Sequence, residues 1–138
     1  MTIQQSLLAI PVFLFTFLAI DLLWLNVFAT EFYKSRIGFL YPENFNLVAA
    51  GIFYLIYALG VCFFIISSNI NTARTLHEIA LRAAFLGFLC YATYDLTNLV
   101  TIKDWPVSLV IVDMIWGSLL TGTATFVTAL TLRGIFKI

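Results

Sequence analysis

Charge is scarce in this sequence: 10% of its 138 residues are Asp, Glu, Lys or Arg against 62% hydrophobic, where a soluble domain carries about a quarter charged and about half apolar. Such a chain belongs in a membrane. Its seven basic residues are scattered and matched by seven acidic ones, so phosphates find no continuous footprint and nucleic acid is excluded as a partner. Cysteine occurs twice and histidine once. Cys62 and Cys90 stand alone in apolar runs, without a CxxC or a histidine at ligand spacing, which argues against a redox pair or any metal site and makes both buried small hydrophobes. No glycine-rich phosphate loop, flavin fingerprint or nucleophile–base pair is present, so the sequence implies no cofactor. A basic stretch before Leu7 is also missing, and the first apolar run exceeds a signal h-region, which predicts a retained span with nothing N-terminal to discard.

What is abundant is apolar length. Four runs reach the roughly 20 residues that cross about 30 Å of hydrocarbon, at Leu7–Phe28, Asn46–Ile66, Ile79–Thr101 and Val107–Leu132. They predict an all-α integral membrane protein: one transmembrane domain over residues 1–138, its four helices in an up-and-down bundle because the third connection is too short for anything but antiparallel neighbours. With four spans both termini share a face with Arg74, Arg82, Arg133 and Lys137, against Lys34, Arg36 and Lys103 opposite, a bias that puts the termini in the cytoplasm. In "NTARTLHEIALR", Asn71 or Thr72 is expected to cap the third helix, Arg74, Glu78 and Arg82 to form a surface ladder, and His77 to sit solvated or among headgroups. "KDWP" reads as a turn with an interfacial tryptophan, Trp105. The first loop, "ATEFYKSRIGFLYPENF", alternates rings and charges and is expected to lie across the noncytoplasmic end, as a headgroup anchor or a lid.

Three carboxylates fall inside the spans: Asp21, Asp95 and Asp113. Counted from the noncytoplasmic span ends each lies about 10 Å deep, so the three occupy one level. Trp24 shares a helix face with Asp21, Asn98 with Asp95 and Trp116 with Asp113, each one turn away. Gly117, Thr121 and Thr125 continue the Asp113 stripe with the small residues that let membrane helices approach, so Asp113 faces the bundle; Gly87 and Tyr91 continue that of Asp95 in the same way. An ionised aspartate at the centre of the bilayer costs on the order of 3 kcal/mol. No Lys, Arg or His shares that depth, so a compensating cation comes from outside.

These observations define a candidate substrate- or cation-binding site of Asp21, Trp24, Tyr91, Tyr94, Asp95, Asn98, Asp113 and Trp116, with Thr97 near it. Tryptophan faces attract cations and tyrosines hydrogen-bond carboxylates, which suits an organic cation or a proton relay. The same groups would also serve as interhelical polar glue. Asp21 with Trp24, "YDLTN" followed by "KDWP", and "VDMIWG" resemble, over nearly the whole chain, a bacterial family of small membrane proteins known as domain of unknown function 2177. The resemblance implies a bacterial four-span protein of the inner membrane and names no chemistry.

Three functions fit the residues. The first is proton-linked or cation-handling transport or binding; four helices enclose little room for a path, so transport would call for a homodimer. The second is a cofactor-free membrane enzyme, with the carboxylates as acid and base on a lipid or apolar small molecule. The third is a structural or accessory subunit, in which acid-to-amide changes would preserve function. Membrane lipid is a partner in each.

Overall fold

The computed structural model describes residues 1–138 and consists of four long helices without strands: α1 (Ile3–Leu40), α2 (Leu47–Asn69), α3 (Leu76–Thr101) and α4 (Val107–Phe136). All four are long and apolar enough to cross a membrane. Only 30 of the 138 residues are buried, so most apolar side chains face outward, as a lipid solvent permits and water does not. Leu7, Phe15 and Val100, at 71%, 76% and 83% exposure, are among them.

Each helix starts on a local signal. Thr2 and Gln5 form a capping box at α1, and Thr75 and Glu78 another at α3, each satisfying amide groups that the first turn leaves free. The cap of α3 is therefore Thr75 rather than Asn71 or Thr72, because only Thr75 has Glu78 three residues on to close the reciprocal bond. Asn71 instead exchanges two hydrogen bonds of 3.2 Å with Gln5, tying the α2–α3 connection to the start of α1. Glu78 is engaged by Thr75 and keeps Arg74 and Arg82 beside it on one surface groove, as the expected ladder has them. Asp104 takes a left-handed backbone, φ 61°, in the turn before Trp105, where a short polar residue is tolerated best.

α1 differs most from the sequence expectation. The helical path does not stop at Phe28. It passes through a π segment at Trp24–Ala29, returns to α-helix at Thr30–Ile37 and ends in a 3₁₀ turn at Gly38–Leu40. Residues expected to lie as a loop across the membrane surface thus continue a helix. Hydropathy falls where this helix leaves hydrocarbon, but helix formation does not require apolar side chains.

α4 is the central element, packed extensively on α3 and also on α1; α2 rests on α1 and meets α3 mainly through Cys62–Ile66, a second π segment. The α3–α4 approach depends on two glycines. A Cβ at Gly117 would collide with the Tyr91 ring, and one at Gly87 with the Gly117 carbonyl and Thr121. Gly117→Ala is accordingly expected to destabilise the protein by about 1–3 kcal/mol. Gly60→Ala, with nothing within 4 Å of its added methyl, should be neutral or gain about 0.5–1 kcal/mol. Thermal unfolding in detergent checks the pair; equal effects would contradict the close packing.

Two apolar clusters divide the bundle along its length. Near the termini, Phe13 and Phe17 pack with Val61, Ile66, Ile79, Leu120 and Leu132. Toward the opposite end, Ala29 and Tyr33 pack with Trp105, Leu109 and Val110. Along α1 and α4 the acids Asp21 and Asp113 fall between the residues of the two clusters, so the polar layer has apolar packing on both sides.

A carboxylate layer held by cross-helix donors

Asp21, 8% exposed, accepts a hydrogen bond of 2.7 Å from the Tyr54 hydroxyl of α2 and one of 3.1 Å from the Trp116 indole of α4. Asp113 accepts from the Tyr33 hydroxyl at 2.5 Å. Asp95 is wholly buried. Its carboxylate lies within hydrogen-bonding range of the Asp113 carboxyl and the Trp105 indole, though neither contact closes as a well-formed bond. Three helices thus bring three acids into one neighbourhood, and the donors that reach two of them are tyrosines and a tryptophan.

The partners are not those of the helix-face argument. Trp24 does not bond Asp21; it stacks on Trp116, ring centroids 4.3 Å apart and planes at 13°, while Trp116 supplies the bond to Asp21. Asp113 is served by Tyr33 rather than by Trp116. Residues one turn apart point the same way, yet their polar atoms find partners across helices, where the reach is shorter. Tyr91 is half-buried, its ring seated over Gly117. Tyr94 is 57% exposed and meets Trp105 edge to face at 6.1 Å. Asn98 neighbours Tyr94 and reaches none of the acids. Thr97 lies outside the layer: it is exposed and its hydroxyl bonds back to the Thr93 and Tyr94 carbonyls. Gly117, Thr121 and Thr125 are buried, and Thr121 shares a 2.7 Å hydrogen bond with Tyr57.

Sequence reasoning missed Tyr33, Tyr54 and Trp105. Tyr33 was hidden by the loop assignment. It lies on the helical continuation of α1 beyond the Trp24–Ala29 π segment, from where its hydroxyl reaches Asp113; such segments recur at functional sites. Arg36 adds a second tie, a 2.8 Å bond to Ser108 at the start of α4. Tyr54 carried a readable signal: Tyr54 and Tyr57 put two hydroxyls at helical spacing on the otherwise apolar "FYLIYALG". Trp105 looked like an interfacial anchor and is instead 8% exposed. Cys90 reverses its expectation too. It is exposed whereas Cys62 is buried, because position 90 faces away from α4.

An apolar cavity of ≈ 370 Å³ adjoins the layer, lined by Phe53, Tyr57, Cys90, Tyr91, Tyr94 and Asp113. Of the eight residues proposed from sequence, Tyr91, Tyr94 and Asp113 line it, Asp95 lies beside Asp113, and Asp21 with Trp24 and Trp116 forms a linked aromatic group on the α1 side.

Four apolar helices around a layer of carboxylates define a polytopic membrane protein. The match to the family described as "Predicted membrane protein (DUF2177)" spans residues 6–130, and the chain belongs to that family. No curated protein and no solved structure matches it.

Proposed function

We propose that this protein handles protons or cations within the membrane, with Asp95 and Asp113 holding positive charge and Asp21 acting as a fixed anchor of the bundle. The observation that carries this reading is Asp95: a fully buried carboxylate set against a second carboxylate, Asp113, with the Trp105 indole as the one donor beside it. A purely structural polar core would satisfy its members, since an unpaired buried polar group costs about 1–3 kcal/mol and a charged one more. Asp21, with two donors, behaves as such a core; Asp95 is set against another acid, and that pair calls for a proton or a cation between its members. A proton or an ammonium group supplies what Asp95 lacks. In this reading the chain lies in the bacterial inner membrane with both termini cytoplasmic, following its slight charge bias, and a homodimer would provide the room that four helices lack for transport.

The test is thermal unfolding of the purified protein across a range of pH and with added methylammonium. Wild type should respond to both, and Asp95→Asn should lose most of both responses while keeping its helical circular dichroism. A variant that responds as wild type does would exclude the reading.

A further inference from the structure

Resting on that cation reading, we propose that the ligand is a lipophilic primary amine, an ammonium group on a hydrocarbon tail, which reaches Asp113 sideways from the bilayer through the seam between α2 and α3. The ≈ 370 Å³ cavity lies in this seam and falls in the size range of small-ligand sites. Phe53, Cys90 and Tyr94 at its rim are exposed on the lipid-facing surface. Asp113 is its carboxylate. The walls would take a tail and the inner end a charge.

The ends of the bundle offer no comparable route. On the side away from the termini, Ala29, Tyr33, Trp105, Leu109 and Val110 pack into a buried cluster, and Tyr33 spans to Asp113 beneath it. On the termini side lies the larger apolar core. The seam is open for a local reason, since α2 meets α3 mainly at Cys62–Ile66, nearer the termini than the Phe53–Tyr57 stretch that lines the cavity. A second groove, at Ile20, Leu23, Trp24, Phe28 and Trp116, has no carboxylate in its lining.

Charge selects the ligand. An anionic lipid would meet Asp113 with Asp95 behind it and be repelled. A neutral alcohol offers Asp113, the carboxylate of the cavity, one donor and no charge to balance its own. A primary ammonium brings three donors and a full charge, and three tyrosines, Tyr57, Tyr91 and Tyr94, line the cavity, a residue type whose ring attracts cations. A hydrated inorganic ion would have to shed water along an apolar path.

The experiment uses the whole protein in phosphatidylcholine nanodiscs and a dodecylamine carrying a diazirine in its chain, with adducts mapped by mass spectrometry. Adducts should concentrate on Phe53–Tyr57 and Cys90–Tyr94, be displaced by excess dodecylamine but not by dodecanol, and fall about tenfold in Asp113→Asn. Adducts spread evenly over the lipid-facing surface, or displaced equally by dodecanol, would overturn the proposal. The amine-against-alcohol comparison on wild type decides the matter even if Asp113→Asn fails to fold. The pH and methylammonium responses of Asp95→Asn, measured on the same preparation, separate the two failures. If they remain lost while labelling is nonspecific, the cation reading stands without a lateral amine; if they match wild type, both fall.

Discussion

Asp95→Asn is expected to unfold at a higher temperature than wild type when no cation is added, a gain of about 1–3 kcal/mol. Most substitutions at a fully buried position destabilise. Here the wild-type side chain is the liability, because its carboxylate is fully buried and the group it meets, Asp113, is another acid. Asparagine keeps the volume, removes the charge and adds two donors that can reach Asp113. A gain in stability joined to a loss of cation response would mark a position kept for function at the expense of the fold. A loss of stability of more than about 1 kcal/mol would mean that Asp95 has partners in the membrane, and the proposed cation site would lose its main support.

Asp21→Ala should do the opposite and cost about 2–4 kcal/mol. Its carboxylate accepts from Tyr54 and Trp116, so truncation leaves two donors facing an apolar surround, where no water replaces the lost acceptor. Tyr54→Phe removes one donor and should cost less, about 1–2 kcal/mol. The double variant should fall short of the sum by about 1 kcal/mol, the signature of residues that share one interaction. Thermal unfolding of the three variants measures this. If Asp21→Ala raised stability as Asp95→Asn is expected to, the division into an anchor and a cation-holding pair would collapse.

That division also explains why three similar aspartates are not interchangeable. Asp21 is clamped by α2 and α4, Asp113 is met by Tyr33 of α1 and lines the cavity, and Asp95 lies fully buried between Asp113 and Trp105. Environment rather than residue type assigns the roles, as with paired carboxylates in enzyme sites.

The membrane class, the number of spans and the presence of acids in three of them were determined by the sequence alone. Hydropathy and length are sums over neighbouring residues, and the cost of crossing hydrocarbon depends on little else. The small-residue stripe of α4 was legible for the same reason: Gly117, Thr121 and Thr125 share a face by helical period whatever that face touches. Tertiary structure decided the rest. Whether Tyr33, Tyr54 or Trp116 reaches a given carboxylate depends on how the helices are rotated and on the continuation of α1 through its π segment, which no local period encodes. The burial of Trp105, the exposure of Cys90 and the pairing of Asp95 with Asp113 follow from the same arrangement. A hydrogen bond is made or lost over about an ångström, a distance that the packing of four helices sets and the order of residues along any one of them does not.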